Sequence, residues 1–278
     1  MDISLVSLLF FIIITIAYFL VLKPKLTLQL LAPDCYNDYK NSIFPKLALY
    51  LLIVCIVQFI LNTTYLTNKC GGEVRNNIGV AALYTFFPWL IIFGVIIAIL
   101  IVFPGFKSAF SDVLGYYAVA NGAKTLFANI LIDANLDQKV SQIDDPERRA
   151  DMMSAAEAIT KMLGNKAILI NQITPDNFLK TWGLLKPLMK PNITGDIETE
   201  NQAQLLDLIV LKDNIGEAFW YVYTAILISS IVYYNLANRG CVPSVSQIKA
   251  NYDKYMTDNE TTNTTGTTTA TTTVNKAS

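Results

Sequence analysis

The stretch NNIGVAALYTFFPWLIIFGVIIAILIVFPGF, residues Asn76 to Phe106, contains no charged side chain, and Lys107 closes it. Crossing the hydrocarbon core of a bilayer as a helix takes about 20 apolar residues, so this longer uncharged run predicts a membrane span. Outward from it, three further apolar runs lie at Ile3 to Leu22, Leu47 to Leu61 and Ala218 to Ala237. The chain of 278 residues is 53% hydrophobic and 15% charged. Soluble domains carry roughly 25% charge. The apolar excess is confined to the runs, and the residues between the third and fourth have ordinary soluble composition. The expected fold is all-α, with transmembrane helices near 3–22, 43–61 and 79–103, a soluble helical domain inserted over 104–215, and a fourth span over 216–237. An outer C-terminal segment follows over 238–278. From about residue 257 it is Thr-rich with almost no apolar content, so it cannot offset chain entropy by burial and is expected to be disordered.

The first run follows Met1-Asp2 without a basic leader, lacks a small-residue cleavage site and is followed at once by Lys23 and Lys25, which reads as a retained anchor. Basic residues flanking a span favour the cytoplasmic side, so the N-terminus is expected outside, and so is the C-terminus. Lys23, Lys25, Lys40, Lys46, Lys107, Lys124 and Lys212 then fall inside and outnumber Lys69, Arg75, Arg239 and Lys249 outside. The sequons at Asn62, Asn259 and Asn263 fall on the outer side as candidate N-glycosylation sites, whereas that at Asn192 falls inside. Cys70 and Cys241 follow the second and fourth spans and share the outer face. They form either a disulfide or two unpaired thiols, since pairing needs Cα atoms within about 7 Å and is not fixed by sequence. Cys55 reads as a small apolar filler within the second span, and Cys35 as a free thiol in the inner loop.

Several function classes lose support. A net charge of −1 gives no basic surface for a phosphate backbone, so nucleic acid is not an expected partner. Histidine is absent, which removes the commonest general base and zinc ligand. No phosphate-binding glycine loop or nucleophile elbow occurs, and no catalytic, cofactor-binding or metal residue is expected. Within the spans the polar groups are few: Gln58, Asn235 and a handful of hydroxyls, with Gln58 expected to hydrogen-bond a neighbouring helix. A channel or transporter usually carries charged residues deep in the bilayer, and none is visible. Aromatic clusters at Tyr84 to Trp89, Phe219 to Tyr223 and Tyr233-Tyr234 read as interfacial belts, and Pro88 marks an expected kink.

In the inserted domain, Asp145-Pro146-Glu147 and Thr174-Pro175-Asp176 each combine a capping side chain, a proline at the first helical position and an acid in the first turn. They predict helices near 146–163 and 175–190. Apolar spacings of three and four predict one long amphipathic helix from Lys107 to Leu136, whose first turns lie in the interface. Phe103-Pro104-Gly105-Phe106 is the expected turn where the third span meets this domain.

Three blocks carry a resemblance: Asn68-Lys69-Cys70-Gly71-Gly72; Thr85-Phe86-Phe87-Pro88-Trp89-Leu90 through Phe93-Gly94; and Phe103-Pro104-Gly105-Phe106-Lys107 with Phe110-Ser111 and Gly115-Tyr116. Together they resemble multi-span virion proteins of nucleocytoplasmic large DNA viruses, some counted as minor capsid components. The resemblance covers mainly residues 68–117 and has no catalytic content. It implies a structural or adaptor protein, not an enzyme, in an internal virion membrane derived from host endoplasmic reticulum. The implied partners are the lipid bilayer and viral capsid or other membrane proteins; an oligomer of the chain is left open by the sequence. A small channel or transporter, and a membrane-bound enzyme, are the alternative expectations.

Overall fold

The structure, a computed structural model, describes residues 3–70, 74–131, 166–241 and 248–257. Helix α1 (Ile3–Ala17) continues through one wide π-type turn (Tyr18–Leu22), and α2 spans Pro33–Cys70. The third apolar run forms α3 (Val74–Pro88), a π-type turn (Trp89–Phe93) and α4 (Gly94–Val102). Beyond it lie a 3₁₀ turn (Pro104–Lys107), α5 (Ser108–Phe110), a further π-type turn (Ser111–Gly115) and α6 (Tyr116–Ile130). Helices α7 (Lys166–Gln172), α8 (Phe178–Leu185) and α9 (Gly195–Asn238) follow. Residues 248–257 are helical too. The described residues include no strand, only an isolated bridge between Leu131 and Met189.

Four helical stretches are long and apolar enough to cross a membrane: Ser4–Leu22, Pro33–Cys70, Asn77–Val102 and Gly195–Asn238. Two of them outrun the predicted spans. The 38-residue α2 begins ten residues earlier than residue 43 and carries Pro45 within it. The 44-residue α9 starts at Gly195 and not near 216, so domain and fourth span share one rod of about 66 Å. Hydropathy marks only the apolar part of a helix; the polar extensions are held by packing.

Two cores result. Where the spans meet, Phe11, Tyr18, Tyr50, Trp89, Phe93 and Tyr221 are fully buried, with Tyr18 and Tyr50 stacked at 4.6 Å and the Phe11 and Trp89 rings tilted at 5.4 Å. The second core gathers Val119, Phe127 and Ile130 of α6, Ile170 of α7, Phe178 and Trp182 of α8, and Leu205 and Ile209 of α9. It is not confined to 104–215, because Leu26 and Leu31 from the connection between the first two spans pack into it.

The segment after Lys107 departs from a single long helix for a steric reason. Gly115 lies directly against the Lys212 carbonyl oxygen, and a methyl group at Gly216 would lie 2.6 Å from the Ser111 Cβ. This close crossing of α9 coincides with the widened Ser111–Gly115 turn. Helix α6 ends at Ile130, short of the expected Leu136, where Leu131 turns extended and the Lys190 N–H donates to the Ile130 carbonyl at 2.9 Å. The Lys190 ammonium also donates to Ala128 O at 2.8 Å, so the end of α6 is capped by a basic side chain. At Thr174 a capping box with Asn177 starts a 3₁₀ turn, then α8, and a second 3₁₀ turn ends at Leu188. The helix expected near 146–163 and the tail from 258 onward lie outside the described residues.

Candidate functional site

At the ends of the first, third and fourth spans, the structure gathers charges that the sequence disperses. Lys23 directly follows the first span, Lys107 ends the turn after α4, and Asp213, Glu217 and Tyr221 lie four residues apart along one face of α9. The Lys23 ammonium donates to Glu217 at 2.9 Å and to Asn214 Oδ1 at 2.7 Å. Lys107 bridges Glu217 at 3.0 Å and Asp213 at 2.9 Å, and the Tyr221 hydroxyl donates to the second Glu217 oxygen at 2.8 Å. The Lys23 and Glu217 side chains are each 8% exposed. Burial works against the Lys107 ammonium, yet Glu217 and Asp213 outweigh it and hold its pKa above the ordinary lysine value. The network is neutral overall and clamps three spans together. Nearby, buried Lys212 donates to Asp112 at 3.1 Å and to the Ile170 carbonyl at 3.1 Å, tying α9 to the segment after the third span and to α7.

Beside this network opens a cleft of about 770 Å³. Its polar side carries Lys23, Lys107 and Glu217, and its outer lip carries Tyr36, Lys40 and Asp176. Lys40 and Tyr36 both donate to Asp176 Oδ1, at 2.8 and 2.9 Å. Burial pushes the Asp176 carboxyl up, but these two hydrogen bonds outweigh it and leave it below the usual carboxylate range. Phe44, Leu47, Leu100 and Ile101 form the apolar wall.

Toward the opposite end of the spans lies a second, uncharged polar cluster. Ser7 Oγ donates to Gln58 Oε1, and Gln58 Nε2 donates back to the Ser7 carbonyl at 3.0 Å. Gln58 therefore joins α2 to α1. Asn62 is 5% exposed and donates to Thr85 Oγ1 at 2.9 Å, which ties α2 to α3. The amide nitrogen of Asn62, the first of the candidate glycosylation sites, is thus turned into the bundle and engaged there. Asn259 and Asn263 lie outside the described residues. Asn235 donates to its own helix at Ile231 O, 2.9 Å away.

Cys70 and Cys241 are joined as a disulfide with Cα atoms 5.2 Å apart, linking the end of α2 to the segment after α9. Lys69, next to it, donates to the carbonyls of Leu236 at 3.0 Å and Arg239 at 2.9 Å, which caps the C-terminus of α9. Cys35 is free and exposed, and Cys55 is free and buried. At Phe103-Pro104-Gly105-Phe106 the chain turns: Phe103 leaves the helical conformation, Pro104 opens the 3₁₀ turn, and the Phe106 carbonyl accepts from Trp220 Nε1 at 3.0 Å. The Phe106 and Trp220 rings stack at 4.8 Å, with Phe110 edge-on to Trp220 at 4.9 Å. The turn is thus docked on α9 by aromatic contacts.

Glu217 and its two lysines were not singled out by sequence reasoning, because each sits at the margin of an apolar run and reads as a flanking charge. A signal did exist in the Asp213, Glu217, Tyr221 spacing, which puts two acids on one helix face at the edge of a span. Comparison with family models, with curated proteins and with solved structures finds no match.

Proposed function

We propose that the protein is a structural or adaptor component of a membrane: a four-span bundle that presents a helical unit at one bilayer face for contact with other proteins. The observation that carries this reading is the filled bundle interior. Phe11, Tyr18, Tyr50, Trp89, Phe93 and Tyr221 pack ring against ring where a conduit would need space, and the charges beside them are paired. The helical unit, by contrast, keeps apolar side chains such as Tyr117, Leu179 and Leu184 exposed, and such positions suit protein contact.

Sidedness follows from chemistry at the two ends. Lys23, Lys25 and Lys107 favour a cytoplasmic face, where Cys35 remains a free thiol, while the Cys70–Cys241 disulfide suits an oxidising face. The N-terminus is accordingly outside. The blocks within 68–117 support a narrower form of the proposal, an internal virion membrane of a large DNA virus with capsid protein as the partner. A photo-crosslinking residue at Leu184, tested in the native membrane or particle, is expected to yield one defined protein adduct. Failure to trap any protein from Leu184, Leu179 or Tyr117 would overturn the adaptor role.

A further inference from the structure

The cleft beside Lys107 is amphipathic, electrically balanced and placed at the depth of a bilayer interface. We propose that it binds one zwitterionic glycerophospholipid, with its headgroup between Lys40 and Asp176 and its acyl chains leaving between the second and third spans. The proposal does not depend on the adaptor role.

Depth is set by the chain itself. Lys23 directly follows one span, and the Pro104–Lys107 turn comes just after the end of another at Val102, so the cleft begins where hydrocarbon ends. Its volume of about 770 Å³ falls within the roughly 300–1,000 Å³ usual for ligand sites. That suits a headgroup, glycerol and the first methylenes, with the remaining chain outside. The cleft itself marks the lateral exit for that chain: Phe44 and Leu47 of α2 line it on one side and Leu100 and Ile101 on the other, so it runs between the second and third spans. Phe44 and Ile101 flank this gap and are 51% and 37% exposed, an apolar doorway facing lipid.

Charge selects the headgroup. The cleft holds Lys23, Lys40 and Lys107 against Asp176, Asp213 and Glu217, and each of these is already paired. A solely anionic ligand would find no spare cation and would leave a carboxylate unmatched. A zwitterion can enter the most exposed pair, Lys40 with Asp176, whose side chains are 48% and 41% exposed. Its phosphate then takes Lys40 and the Tyr36 hydroxyl, and its ammonium takes Asp176, so every charge stays matched. The deeper pairs on Glu217 are 8% to 16% exposed and hold the floor of the cleft in place.

The test is native mass spectrometry of the full chain released from nanodiscs containing equal amounts of phosphatidylethanolamine and phosphatidylglycerol. The expected result is one retained phosphatidylethanolamine per chain. The charge-neutral double substitution Lys40→Gln with Asp176→Asn removes the charges that pair with the headgroup phosphate and ammonium, and it is expected to cut retention about tenfold. Ile101→Trp narrows the doorway from a lipid-facing position and is expected to reduce retention to a similar degree, with the Cys70–Cys241 disulfide still formed as a check on folding. No retained lipid, preference for phosphatidylglycerol, or equal retention by the double variant would each overturn the proposal.

Discussion

Replacing Glu217 with alanine would leave Lys23 and Lys107 facing each other without the anion that each contacts at about 3 Å. Losing one partner of a buried pair strands the other charge, so Glu217→Ala is expected to cost about 3–5 kcal/mol in denaturant unfolding of the detergent-solubilised protein. A loss below about 1 kcal/mol, the level of a surface pair, would show that solvent reaches the network. Gly216 is constrained by shape instead. A methyl group there meets Ser111 at 2.6 Å, so Gly216→Ala is expected to destabilise by about 1–3 kcal/mol in the same measurement. At Asp176 the sign of the pH effect follows from its lowered pKa. The stabilisation is present above the ordinary carboxyl value and fades as pH falls through the lowered one. Comparing thermal stability of the protein with that of Asp176→Asn should therefore show a gap near neutral pH that closes in acid. Gln58 was legible in the sequence because a lone amide in an apolar run needs a partner, and Ser7 supplies it. Glu217 was not, because a charge at a span margin looks solvated until the facing lysines are placed.

At the scale of elements, α9 is the member around which the others assemble. Its first half packs in the second core through Leu205 and Ile209, and its second half packs among the spans through Tyr221, Ile228 and Val232. The apolar run at Ala218 to Ala237 was readable from hydropathy. The continuation back to Gly195 was not, because Asp196 to Asn214 alternates charge and apolar residues as any solvated helix does. Likewise the caps at Thr174 could be read locally, whereas the π-type turn at Ser111–Gly115 depends on the distant Gly216. At the far end, the disulfide and Lys69 bind α2 to the end of α9. Cys70→Ser is expected to lower thermal stability by roughly 2–4 kcal/mol. The check is a melting curve with and without reductant: the parent protein should fall to the variant's value, and the variant should not respond.

The molecule as a whole combines a closed bundle, a helical unit rooted in it through α9, and a network of buried ion pairs at one end of the spans. Each of these fits a part that bears contacts. A conduit would need a wetted route from the Lys23 end to the disulfide end, and the ring cluster around Tyr50 and Trp89 stands across it. The Ser7, Gln58 and Asn62 cluster adds hydrogen bonds between helices and only a small cavity of about 10 Å³. Solute flux into proteoliposomes made with the purified full chain tests this most directly. Ion and small-solute entry is expected to be no faster than in protein-free vesicles. Selective, saturable entry that Gln58→Leu or Glu217→Gln abolishes would contradict it.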